Sequence, residues 1–414
     1  MQKRRRVVIT GVGAVTPLGY EKAELWSALC EGKSGIKPIT SFDTTAFDVH
    51  FGGEISDFEP NRWLDVKDAR RLDRFAQFAI VAAVLAVKDA ELGLEGFDKT
   101  RAGVIIGSGM GGLIELEEQH AILLKKGPSR ISPFLIPKLM VNAAPAQVAI
   151  RFGLKGPNYA LVTACTTGGN TVGEAVRIIQ RGDADIMIAG SSEAVITPLA
   201  MGGFISMKAL STRNNAPQQA SRPFDKDRDG FVLSEGAGVV VLEEFEIAKK
   251  RGAHIYAEIL GYGLNSDAYH IAAPEPNGEG AVRCMVSALN DAQCNPEEID
   301  YINAHATSTP IGDNIEMEAV KKVFGLHAPK IPISSTKSML GHQLGASGSV
   351  EIIICTLAIK DGIIPPTINH ETPDPKCAGL DFVPNVARKK KIKNALSNSF
   401  GFGGHNACII LGQV

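Results

Sequence analysis

Three residues in this chain have the types and surroundings to do chemistry: Cys165, His305 and His342. Cys165 follows the apolar, β-branched run Tyr159-Ala160-Leu161-Val162-Thr163-Ala164 and precedes the small residues Thr166-Thr167-Gly168-Gly169-Asn170. An apolar period then resumes at Val172, Ala175, Val176 and Ile179. The pattern reads as a buried strand over 159–164, a tight turn and a helix, with the thiol at the helix start. Unpaired N–H groups and the positive end of the helix dipole favour thiolate there, which makes a nucleophile. A small cysteine packing a buried turn fits the same segment.

The histidines shift that balance. His305 lies in Asn303-Ala304-His305-Ala306-Thr307-Ser308-Thr309-Pro310, a polar loop directly after a short apolar strand. His342 lies in Lys337-Ser338-Met339-Leu340-Gly341-His342-Gln343, before the small-residue helix Gly345-Ala346-Ser347-Gly348-Ser349-Val350-Glu351-Ile352. Loops at strand ends are where open α/β sheets hold reactive groups. A glycine loop with two aromatics, Phe400-Gly401-Phe402-Gly403-Gly404, closes the set as a turn or a mobile gate.

These residues need a frame to bring them together, and the chain supplies one twice. Apolar strands at 7–10, 102–107, 185–190 and 238–242 alternate with helical stretches, and strands at 255–260, 301–304 and 331–335 repeat the grammar. Helical spacing runs from Leu64 to Leu92. The strand, turn and small-residue helix around Cys165 reappears around Ile331 to Ile352. The pattern predicts an α/β protein with mainly parallel sheets, divided into 1–252 and 253–414, whose two helix starts face one site.

Composition removes other readings. At 414 residues, 44% hydrophobic and 21% charged, the chain has the make-up of a folded globular protein. A net charge of -2 gives no global pull towards nucleic acid or anionic lipid. Seven cysteines, an odd number with no Cys-x-x-Cys pair, imply free thiols in a reducing compartment and neither disulfides nor zinc. The basic start at Lys3-Arg4-Arg5-Arg6 precedes an apolar run too soon broken by Gly11, Gly13 and Pro17 for a signal peptide. Gly11-Val12-Gly13 lacks the third glycine of a dinucleotide turn, since Thr16 stands there, and Gly32-Lys33-Ser34 lacks the earlier glycine of a phosphate loop. Asp225-Lys226-Asp227-Arg228-Asp229-Gly230 starts like a calcium loop, but Gly236 occupies the place of the bidentate carboxylate.

With Thr163-Ala164-Cys165, His305-Ala306-Thr307-Ser308-Thr309, Lys337-Ser338 with Gly341-His342, and Gly401-Phe402-Gly403-Gly404 in this order, the whole chain resembles the β-ketoacyl-acyl carrier protein synthases. Within them it is most similar to the elongating type II branch. The resemblance implies a thiolase fold, an internally duplicated five-layer αβαβα arrangement with two mainly parallel mixed sheets. It implies a cytoplasmic, homodimeric acyltransferase that joins an acyl chain held on Cys165 to a malonyl unit carried by acyl carrier protein, with loss of carbon dioxide and no metal or redox cofactor. His305 and His342 would be the histidine pair, Lys337 and Glu351 a supporting charged pair, Thr307 and Thr309 supporting hydroxyls, and Phe402 a gate. Met110, in the glycine loop Ser108-Gly109-Met110-Gly111-Gly112, would shape the acyl pocket. Lys67, Arg70, Arg71, Arg130 and Lys208 would dock the acidic carrier. Departures from the family pattern are Ala306, where many members have glycine, and Gly169-Asn170.

Type I-like synthases and polyketide ketosynthases share this mechanism. A thiolase would need a second cysteine as base, and Cys408 lies beyond the glycine loop rather than in it. A non-catalytic chain-length partner subunit would lack Cys165.

Overall fold

A computed structural model describes residues 4–93 and 95–414. Ten strands form one sheet: β1 (Val7–Val15), β2 (Ala102–Gly107), β3 (Asn158–Tyr159), β4 (Ile186–Glu193), β5 (Gly236–Glu244), β6 (Ala257–Ser266), β7 (Tyr301–Asn303), β8 (Ile333–Ser334), β9 (Asn394–Gly401) and β10 (His405–Gly412). Their spatial order is β8-β7-β9-β10-β6-β1-β5-β4-β2-β3. Read outwards from the centre, β1-β5-β4-β2-β3 and β6-β10-β9-β7-β8 are the same topology used twice.

The two expected five-stranded sheets are the halves of this one, joined at the middle where Val8 and Ile9 of β1 pair with Glu258 and Ala257 of β6. Each half is a mainly parallel mixed sheet, in which four strands run one way and only β5, or β10, is reversed. Four contacts are parallel, β2 with β3 and β4, and β7 with β8 and β9. The other five are antiparallel. In the second half the reversal follows from chain length, since β9 and β10 are joined by the short turn Phe402–Gly404 and cannot run parallel.

Helices cover both faces and fill the space between. The main ones are α1 (Arg74–Asp89), α2 (Leu113–Lys126), α3 (Ala143–Phe152), α4 (Thr167–Arg181), α5 (Glu279–Ala292), α6 (Gly312–Phe324) and α7 (Ser347–Asp361). α1 packs on β1 and β5 and α3 on β2, on one outside; α5 packs on β6 and β10 with α6 beside it, on the other. α4 and α7 pack on each other in the central layer, which gives five layers. Every residue of α7 from Ser347 to Ile359 is buried, as a helix sandwiched between two sheets requires.

Small residues let these central helices approach. A Cβ on Gly168 would sit 2.3 Å from the Ser349 nitrogen, and one on Gly348 would sit 2.7 Å from the Gly169 nitrogen. The small residues after Cys165 and before Val350 thus set how closely the two helix starts converge.

The run 159–164 is not a buried strand. Only Asn158 and Tyr159 pair, with β2 alone, and both are exposed at the sheet edge. With no strand beyond it, the chain turns away to deliver Cys165. The helical stretch 64–92 is likewise broken: a short helix at Val66–Ala69 stops, and Asp73 caps a new one by accepting the Phe75 N–H.

Candidate active site

The parallel strands of both halves end at one place. β3 leads to Cys165, β7 to His305, β8 to Lys337 and His342, and β9 to Phe402. Cys165 sits in a single 3-10 turn, Ala164–Thr166, immediately before α4. Its counterpart, Leu344–Ala346, precedes α7. Both turns begin on a non-glycine residue with positive φ, Ala164 at 51° and Leu344 at 46°. Such backbone persists only where the surrounding structure holds it.

Cys165 Sγ and His342 Nε2 are 3.1 Å apart. On the far side of the His342 ring, Nδ1 lies 3.0 Å from the Ser347 hydroxyl, which suits either tautomer: it accepts from an Nδ1–H or donates to a bare Nδ1. The Phe231 ring stands edge-on to His342 at 5.3 Å between centroids. The His305 ring stands nearly perpendicular to His342, 5.3 Å between centroids. Its backbone N–H and that of Ala306 donate to the two oxygens of Glu316, at 2.9 and 2.7 Å. His305 Nδ1 is buried without a protein partner.

Lys337 and Glu351 form a buried ion pair behind the histidines. Its charge is felt across the site. Burial pushes both imidazoles well below their ordinary value, and the Lys337 ammonium adds to this, so both are neutral at neutral pH. Burial raises the Glu351 carboxyl to about 7, against the pull of Lys337.

Cys165 departs from the sequence-based expectation. Burial pushes its thiol up to about 12, opposed by Lys337 and by the backbone N–H groups of Phe402 and of Cys165 itself. The resting pair is therefore a thiol beside a neutral imidazole, because desolvation outweighs the helix start. A thiol in that state attacks only if a neighbour takes its proton, and His342 Nε2 is the ring nitrogen within reach.

Cys165, His305, His342, Phe402, Met110, Thr307 and Thr309 all line one cavity of about 430 Å³. Thr307 and Thr309 touch through their hydroxyls at 3.2 Å. Phe204, Met207 and Phe231, from the long connection between β4 and β5, make much of its apolar wall. Phe402, expected as a gate, belongs to a turn tied to a neighbouring loop: the Gly403 N–H donates to Ile271 at 2.7 Å and the Asp267 N–H to Gly404 at 2.8 Å. Gly401 approaches the cysteine turn so closely that a Cβ there would lie 3.1 Å from the Cys165 nitrogen.

Lys67, Arg70, Arg71, Arg130 and Lys208 lie outside the cavity and are exposed. Arg71 rests over the Phe134 ring at 5.3 Å, and Lys208 follows Met207 of the cavity wall. Arg74, in the same basic run, is instead paired with buried Glu235 at 2.7 Å.

Three buried carboxylates escaped the sequence reading. Asp313 accepts the Ser308 and Thr309 N–H groups at 3.1 and 3.3 Å, Glu316 holds the His305 loop, and Glu193 ends β4. Burial raises Asp313 to about 6 and Glu316 to about 7. A signal existed: Asp313 and Glu316 occupy the same stripe of α6 as Met317, Val320 and Phe324. The calcium-like segment also has a use here. Arg228 donates to the Thr309 and Pro310 carbonyls at 3.0 and 3.1 Å and so braces the His305 loop.

Residues 4–248 match the family described as beta-ketoacyl synthase, N-terminal domain, and residues 256–371 match its C-terminal domain family. The chain belongs to the beta-ketoacyl synthase family. It is 53% identical over 412 residues to a Coxiella burnetii protein named 3-oxoacyl-[acyl-carrier-protein] synthase 2, covering 100% of this chain and 99% of the relative. A Synechocystis protein of the same name is 52% identical over 407 residues, with 98% of each chain covered. Among solved structures, a type II polyketide ketosynthase in complex with its acyl-carrier protein and bound to the hexaketide superposes with a TM-score of 0.92 at 37% identity, covering 100% of both chains. A beta-ketoacyl synthase from Burkholderia phymatum does so at 0.92 and 35%, covering 99% of this chain and 100% of the other. Among the described residues no helix is long and apolar enough to cross a membrane.

Proposed function

We propose that this synthase-family chain is a 3-oxoacyl-[acyl-carrier-protein] synthase of the type II kind, which lengthens fatty acyl chains by decarboxylative condensation. The observation that carries the reading is the joint presence in one cavity of the Cys165 thiol, 3.1 Å from His342 Nε2, and the neutral His305 imidazole.

As the thiol attacks the thioester of an acyl carrier, its proton passes to His342 Nε2, which is bare in the tautomer whose Nδ1–H donates to Ser347. The oxyanion forms against the backbone N–H groups of Cys165 and Phe402, the carrier thiolate leaves, and it recovers the proton from His342. The chain remains on sulfur, an acceptor that is also a good leaving group. A malonyl carrier then enters and loses its carboxylate as carbon dioxide. The electron pair moves onto the thioester oxygen, where His305 and His342 supply neutral N–H donors, His342 now in the tautomer with its N–H on Nε2 and the Ser347 hydroxyl donating to Nδ1. The resulting carbanion attacks the acyl-cysteine carbonyl, and the Cys165 thiolate departs to leave a 3-oxoacyl carrier. Donors aimed at developing charge are the main source of rate here, and loss of one costs about 10²–10³.

Lys337 and Glu351 keep the histidines neutral, while Thr307 and Thr309 line the carrier-side approach. Met110 bounds the acyl end, and Phe402 gates it. Lys67, Arg70, Arg71, Arg130 and Lys208 receive the acidic carrier protein. The halves divide at 252 and 253, a reading supported by the repeated strand order. The chain works as a cytoplasmic homodimer. Edge strand β3 is paired on one side only, and Ile150 of the neighbouring α3 and Val162 just after it are exposed, which supports a partner copy there.

The polyketide reading shares every step, and the higher identity to fatty-acid relatives favours elongation of plain chains. The thiolase reading loses its base: Cys408 lies in β10, with its thiol donating to Asn398 at 3.3 Å. Mass spectrometry after mixing with acyl carriers of graded length tests the assignment. One acyl mass on Cys165 is expected, and a chain attached elsewhere or nowhere refutes it.

A further inference from the structure

Glu193 is fully buried, and both of its oxygens are saturated with donors. Oε1 accepts the Ser108 hydroxyl at 2.7 Å and the Met110 N–H at 3.0 Å. Oε2 accepts the Gly109 N–H at 2.7 Å and the Gly345 N–H at 3.1 Å. Ser108 Oγ itself receives the Gly111 N–H at 2.9 Å, so its proton points at Glu193. Burial raises the Glu193 pKa, and the four donors pull against it by favouring the carboxylate.

Those donors come from two different places. Ser108–Met110 follows β2 in the first half and places Met110 in the cavity wall. Gly345 belongs to the turn between His342 and α7 in the second half. A Cβ on either Gly109 or Gly345 would lie 2.7 Å from Glu193 Oε2, and one on Gly345 would lie 2.8 Å from the Gly109 nitrogen. The two segments therefore touch across this carboxylate, beside Ala164 and Cys165.

We infer that Glu193 is a positioning residue that fixes the acyl-pocket loop Ser108–Met110 against the turn carrying His342, and thereby sets which chain lengths the cavity admits. The inference rests on the function proposed above. Without the clamp, Met110 and its backbone can shift, and the far end of the pocket loses its fixed depth.

The test is kcat and KM for acyl carriers of graded length, with the unaltered protein, Glu193→Gln and Ser108→Ala. The glutamine amide turns an NH₂ towards two N–H donors and releases one of the two segments. The ratio of KM between disfavoured and favoured chains should fall by about tenfold in Glu193→Gln and by about threefold in Ser108→Ala, with kcat for the favoured chain changing less. If Glu193→Gln does not fold, Ser108→Ala decides alone. Variants that slow every chain length by one common factor overturn this inference alone. An unaltered protein that transfers no acyl chain of any length overturns the functional reading, and this inference with it.

Discussion

Cys165 Sγ lies 3.1 Å from His342 Nε2, yet the sulfur comes from the end of one half of the molecule and the imidazole from the end of the other. The contact exists because α4 and α7 cross without side chains between them at Gly168 and Gly348. A thiol raised to about 12 gains reactivity only through a neighbour able to take its proton, so under the proposed function each half needs the other.

Lys337 holds down the pKa of all three reactive side chains from its buried pair with Glu351. Lys337→Met should cost about 3–5 kcal/mol of stability by leaving Glu351 unpaired. It should also move alkylation of Cys165 by iodoacetamide to higher pH. Adding Glu351→Leu should restore much of the stability, measured by denaturant unfolding, without restoring the alkylation profile. Full recovery of that profile would separate Lys337 from the thiol.

In the proposed mechanism the histidines donate hydrogen bonds as neutral rings, and burial places their titration well below the ordinary imidazole value. Malonyl decarboxylation should therefore keep its rate as pH falls through about 6.5 and decline only further down. Stability runs the other way over that interval. The unfolded chain takes up protons on these two histidines where the native one does not, so their contribution falls as pH drops through the ordinary value. Glu316 and Glu351, raised to about 7 in the folded state, bind protons first in the native chain and offset part of that loss. Decarboxylation rate and denaturation midpoint, measured over one pH series, check both signs.

Carrier docking by exposed cations is an electrostatic proposal and carries a salt signature. Reversing Lys67 and Arg71 together to glutamate should raise Kd for acyl carrier protein about tenfold at low ionic strength and less at high salt. Titration calorimetry at two salt concentrations reads this. Equal affinity of the two proteins at low salt would remove the patch from the docking surface.

What could be read from the chain beforehand was local. Cys165 before a small-residue helix, and His305 and His342 at strand ends, carry their meaning in their neighbours. Glu193 and Glu316 do not, because an isolated acid reads as solvated until the fold buries it against backbone N–H groups. The thiol's state was misjudged for the same reason: a helix start is visible in sequence, and the desolvation that outweighs it is not. The sheet was legible as repeated strands, while the two-residue pairing of β1 with β6 that joins the halves depends on contacts distant in sequence. The run 159–164 reads as a buried strand because its apolar and β-branched residues suit a strand interior, whereas its exposure follows from its place at the sheet edge.

The most direct test follows carbon dioxide release and 3-oxoacyl product together in Cys165→Ala, supplied with acyl and malonyl carriers. The account predicts no condensation product, while the histidine pair still releases carbon dioxide from the malonyl carrier. Condensation at the rate of the unaltered protein would contradict it.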